Sequence, residues 1–85
     1  MKPLADHIRT PSQLINALKR YRKHSDLTQA QLGETSGLPQ TTVSKIEVEM
    51  IDPSLGTLFK IIAALDLEIE IKERKPLITE KKRES

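Results

Sequence analysis

The stretch from Leu27 to Glu47, LTQAQLGETSGLPQTTVSKIE, constrains the fold most, because it sets two helix starts on either side of a single Gly-Leu-Pro turn. In LTQAQ, Leu27 precedes Thr28, which can cap, and Gln31 follows three residues later, the pattern of a capping box behind an apolar residue. Leu32 anchors a predicted helix of about two turns. It stops at Gly37, a residue suited to the left-handed backbone of a helix end. In LPQTTVSKIE, Leu38, Val43 and Ile46 keep the helical period, while Gln40, Thr41, Ser44 and Lys45 share the opposite face and have no core to fill.

Two further helices brace this pair. In TPSQ, Thr10 caps, Pro11 suits the first helical position and Gln13 completes a capping box. Leu14, Ile15, Leu18 and Tyr21 then form one apolar stripe, and the helix is expected to end near His24. A fourth helix is predicted from about Ser54, with Leu55, Leu58, Phe59, Ile62 and Leu65 closing the core, and Gly56 lowers its propensity slightly. After it the period changes: LEIEIKE alternates Leu67, Ile69 and Ile71 with charged residues, which predicts a half-buried strand. A strand needs a ladder partner. The segment LITE after Pro76 offers a short hairpin, and the same strand of a second copy offers a sheet about a two-fold axis, the arrangement favoured here. The expected organisation is an N-terminal arm over 1–10, an all-α domain of four helices over 11–66, a dimerisation strand over 67–73 and a flexible charged tail over 74–85.

Composition removes several function classes. A chain of 85 residues supports one small core, and with aromatics at 2% that core is aliphatic. There is no Cys for a disulfide, a thiolate metal site or a catalytic thiol. No apolar run is long enough to span a bilayer and MKPLADHIRT lacks a signal-peptide h-region, so a cytoplasmic protein is expected. His7 and His24 lack metal-ligand spacing, and the pairs Glu47/Glu49 and Glu68/Glu70 have no pocket around them in so small a core. A non-enzyme without metal or cofactor is expected.

The formal charge is only +2, but Lys19, Arg20, Arg22 and Lys23 cluster, while Glu68, Glu70, Glu73, Glu80 and Glu84 all fall in the last 18 residues of the chain. Such a cluster is either a solvated helix face or a contact for a polyanion. Two short helices joined by a Gly-containing turn and braced on both sides make a helix-turn-helix. The second helix fits a DNA major groove, where Gln can pair with adenine and the Thr methyl can meet the thymine methyl. The start of the preceding helix can meet a phosphate. A protein-interaction module built from the same helices is the alternative.

RYRKHSDLTQAQLGETSGLPQTTVSKIE resembles the helix-turn-helix of the Cro/C1 (XRE) family, with its Thr-Gln-x-x-Leu opening, its Gly turn and its closing Ile-x-x-Ile/Leu-Glu pattern. The likeness continues through PSLGTLFKIIAALDL and so covers most of the chain. It implies a lambda-repressor-like domain in which Gln29 binds phosphate and in which Gln40, Thr41, Ser44 and Lys45 read bases of a palindromic double-stranded operator. By position and charge, Thr28, Arg22, Lys19 and Lys23 are the further phosphate candidates near Gln29. It also implies a buried pair of Arg22 with Glu47. Two residues depart from the pattern: Gly33 stands where Ala is usual, and Pro39 stands where a Ser or Thr cap is usual. The ending ALDLEIEIKER and the opening TPSQLINALKRYR are similar to HipB-type antitoxins, which implies a homodimer that represses its own operon and binds a HipA-type serine/threonine kinase toxin. A stand-alone phage-type repressor is the other member of the family that fits.

Overall fold

A computed structural model describes residues 6–74, which form α1 (Pro11–His24), α2 (Gln29–Ser36), α3 (Gln40–Glu47) and α4 (Leu55–Ala64). The starts follow local chemistry. Thr10 Oγ1 accepts the Gln13 N–H at 3.1 Å, and Ser54 Oγ accepts the Thr57 N–H at 3.1 Å. At α2 the capping box is complete: Thr28 Oγ1 accepts the Gln31 N–H at 3.0 Å, and Gln31 Oε1 accepts the Thr28 N–H at 2.9 Å. At α1 the reciprocal bond of the expected box shifts by one residue, since Gln13 Oε1 accepts from the Arg9 N–H instead of that of Thr10. Pro39 precedes α3 with an extended backbone and supplies no side-chain cap.

The helix ends share one device. Asp26, Gly37, Glu49 and Asp66 all have positive φ, between 59° and 77°. Each is followed by an apolar residue whose N–H returns to a carbonyl five residues back: Leu27 to Arg22, Leu38 to Gly33, Met50 to Lys45 and Leu67 to Ile62, at 2.8–3.1 Å. These are the long bonds of Schellman-type endings, which satisfy carbonyls that a helix leaves open. Gly33 has a different reason to lack a side chain, because a Cβ there would stand 2.6 Å from the Leu38 carbonyl oxygen.

All four helices contribute to one core. Ile15 and Leu18 of α1, Leu32 of α2, Val43 and Ile46 of α3, and Ile61, Ile62 and the adjoining Leu65 of α4 are buried together. Each such side chain stabilises the fold by roughly 1.5–3 kcal/mol through removal from water. The α4 stripe differs from expectation in two places. Leu55 and Phe59 lie on an exposed face, and Ile61 takes a place in the core that the sequence reading did not assign to it. Core contact turns α4 toward Ile61, Ile62 and Leu65, which carries Leu55 and Phe59 to the outside.

Among the described residues there is no strand, so the element expected over 67–73 is not formed in the single chain. Leu67 does different work from that expected: it is half-buried against the core and its N–H closes the end of α4. Ile69 and Ile71 are exposed, at 48% and 93%. The LITE segment, the charged tail beyond Arg74 and the first five residues of the arm lie outside the described residues. No described helix is long and apolar enough to cross a membrane.

Candidate nucleic-acid interface

The polar face of α3 follows from which of its residues the core takes. Val43, Ile46 and Glu47 are buried, so the helix turns Gln40, Thr41 and Lys45 fully outward and leaves Ser44 half-buried at the margin. Three of the four residues expected to read bases therefore share an exposed surface beside the fourth. Gly37 and the close passage of Leu38 over Gly33 set the turn that delivers α3 to this position.

Behind this face lies a buried polar network. Arg22, from the last turns of α1, is 8% exposed, and Glu47, the last residue of α3, is 7% exposed. Arg22 Nε donates to Glu47 Oε2 at 2.6 Å and Arg22 Nη2 to Glu47 Oε1 at 3.0 Å, a bidentate pair that ties α1 to α3. Arg22 Nη1 donates to the Leu27 carbonyl at 2.7 Å, which holds the loop between α1 and α2. Gln29, the first residue of α2, donates from Nε2 to Glu47 Oε1 at 2.9 Å. One carboxylate thus gathers α1, α2 and α3.

Burial pushes the Glu47 carboxyl up, but hydrogen bonds from Arg22 and Gln29 and the charges of Arg22 and Lys19 outweigh it. Its pKa is held below the usual value, so Glu47 is ionised at neutral pH. Lys19 is half-buried on α1 and Lys23 is exposed on the same helix. Arg20 is engaged elsewhere, in an ion pair with Asp6. The guanidinium of Arg22 commits three of its five N–H donors to Glu47 and the Leu27 carbonyl. Thr28 is exposed, with its hydroxyl oxygen accepting inside the capping box.

Sequence reasoning missed the bond from Gln29 to Glu47 and the influence of Lys19 on that carboxylate. Gln29 and Glu47 are 18 residues apart, and no local period links them. Among the described residues, no group of His, Asp or Glu could hold a metal ion.

The helix-turn-helix family model matches residues 18–72. Antitoxin HipB of Escherichia coli O6:H1 (strain CFT073) is 37% identical over 68 residues, which span 80% of this chain and 72% of that protein. A chain of the solved HipA-HipB-O2-O3 complex is 34% identical and superposes with a TM-score of 0.77 over 84% of this chain and 100% of its own length. The solved HipB-O4 20mer complex gives the same three values and the same full coverage of its chain.

Proposed function

Because the chain belongs to the helix-turn-helix family, of the XRE type and among the relatives of HipB antitoxins, we propose that it is a cytoplasmic, sequence-specific DNA-binding repressor of its own toxin-antitoxin operon. The observation that carries this reading is the exposed polar face of α3, with Gln40, Thr41 and Lys45 outward and Ser44 beside them. Such side chains, on a helix that fits the major groove, supply the donors and acceptors needed for base edges. Gln29 and Thr28 at the start of α2, with Lys19 and Lys23 on α1, are the proposed phosphate contacts. They set the register of the protein without selecting sequence.

The repressor acts as a homodimer on a palindrome whose half-sites lie one helical turn apart, about 34 Å. Support for the dimer comes from the alternating segment after α4, where Ile69 and Ile71 are exposed, and from Leu55 and Phe59, also exposed, on α4. Pairing of residues 67–73 between two copies would satisfy their backbone and cover Ile69 and Ile71. The protein partner is a HipA-type serine/threonine kinase toxin, a reading supported by the likeness to the HipB chain solved together with HipA. The chain itself needs no catalytic group for either role.

Binding to duplexes selected from a random pool tests the base-reading assignment. Gln40→Ala is expected to relax preference at one position of the half-site, at about 1–3 kcal/mol of discrimination. Gln29→Ala is expected to weaken selected and random duplexes alike. Equal losses on both kinds of DNA for both variants would overturn the division between base reading and phosphate contact.

A further inference from the structure

The geometry points to Glu47 as a positioning residue for DNA contact, acting through Gln29. This inference rests on the DNA-binding reading above and deepens it. Gln29 opens α2 half-buried, and its amide nitrogen has two hydrogens. One is committed to Glu47 Oε1 at 2.9 Å. That bond fixes the plane of the amide, and the second N–H then points in a direction set by the carboxylate. A phosphate approaching the start of α2 meets a donor already oriented, and little side-chain entropy is lost on contact.

Glu47 would be a poor neighbour for a phosphate if its charge were bare. Arg22 removes that difficulty with two hydrogen bonds to the carboxylate, at 2.6 and 3.0 Å, so the network carries no net charge toward the DNA. The carboxylate orients Gln29 and the guanidinium neutralises the carboxylate. The pair therefore does two things: it ties α1 to α3, and it aims a donor on α2. A purely structural pair would do the first alone, and the two cases are separable.

Arg22→Met/Glu47→Met removes one positive and one negative charge, which leaves net charge unchanged. It replaces a buried ion pair by apolar side chains, an exchange that folds often tolerate. The expected result is a folded protein whose affinity falls by up to about fivefold per half-site, about 25-fold for the dimer, on selected and random duplexes alike, the size of one lost hydrogen bond in each copy. The loss should not exceed that of Gln29→Ala, and adding Gln29→Ala to the double variant should cost less than Gln29→Ala costs in the wild type. The slope of log affinity against log salt should stay at the wild-type value, because Gln29 is uncharged. A slope reduced by about 0.9 per half-site, about 1.8 for the dimer, would assign the loss to a direct Arg22–phosphate contact and overturn the proposal.

Wild-type affinity in the folded double variant would overturn the positioning role while leaving the DNA-binding reading intact. Failure of the wild-type protein to select any duplex would instead overturn that reading. A measurement on the unaltered protein guards against a double variant that does not fold: the side-chain amide of Gln29 should be ordered in NMR relaxation, in contrast to that of the exposed Gln40. Equal mobility of the two amides would overturn the proposal.

Discussion

α2 and α3 are each eight residues long, yet they are held in different ways. α2 carries its own instructions, with the Thr28/Gln31 capping box at one end and Gly37 at φ 77° at the other. α3 has Pro39 without a side-chain cap at its start and Glu49 at φ 59° just past its end. What holds α3 is tertiary: Val43 and Ile46 in the core and Glu47 in the pair with Arg22. An isolated helix this short is marginal in water whatever its caps. The difference teaches that the helix meant to face a ligand can be anchored wholly through its inner face, which leaves its outer residues unconstrained by the fold.

The sharpest way to break this comparison is Glu47→Ala. It removes the tertiary tie of α3 and leaves Arg22 buried without its carboxylate, a loss of about 3–5 kcal/mol. Thermal unfolding followed by circular dichroism should show a large fall in Tm, and a small fall would mean that α3 is held by Val43 and Ile46 alone. The same tie has a pH signature. Because the folded pKa of Glu47 is lowered, its contribution is fully present above the unfolded value of about 4.3 and is lost as pH falls through the folded one. Wild-type stability should therefore drop on acidification through that range, and Glu47→Ala should lack that part of the drop.

The same contrast decides what the sequence could reveal. Helix starts were legible because Thr10, Thr28 and Ser54 are local signals, and the four helices stand where those caps and the apolar period put them. Helix ends were legible at His24, near which α1 was expected to stop, and at Gly37. Asp26-Leu27, Glu49-Met50 and Asp66-Leu67 make the same ending with a polar residue in the left-handed position, a pattern visible once its geometry is known. The exposure of Leu55 and Phe59 was not legible, since α4 is apolar on more of its circumference than the core can cover. Arg22 with Glu47 entered through family resemblance, and the place of Gln29 in that network needed coordinates.

A middle-sized effect tests the other half of the comparison. Thr28→Ala removes the hydroxyl that accepts the Gln31 N–H and should cost about 1 kcal/mol. Gly37→Ala forces a side chain into the left-handed region and should cost a similar amount, about 1 kcal/mol. Urea denaturation of both variants checks the pair. If neither changes the midpoint, α2 is held by Leu32 in the same tertiary manner as α3, and the contrast between the helices disappears.

The smallest effect sharpens the contrast at the far end of α3. Glu49→Gly places there the residue type that closes α2, and relief of the left-handed backbone should raise stability. Two terms work against it. Glycine gains freedom in the unfolded chain, and Glu49 Oε2 accepts a hydrogen bond from Ser12 Oγ at 3.0 Å that joins the start of α1 to the end of α3. An exposed bond of this kind contributes little net, so a gain of about 0.5 kcal/mol is expected, read as a rise of a few degrees in Tm. The double variant Ser12→Ala/Glu49→Gly separates the terms. If Glu49→Gly lowers Tm in the wild type yet raises it beside Ser12→Ala, the bond to Ser12 outweighs the backbone strain. Even this end of α3 would then be fastened by a contact from another helix.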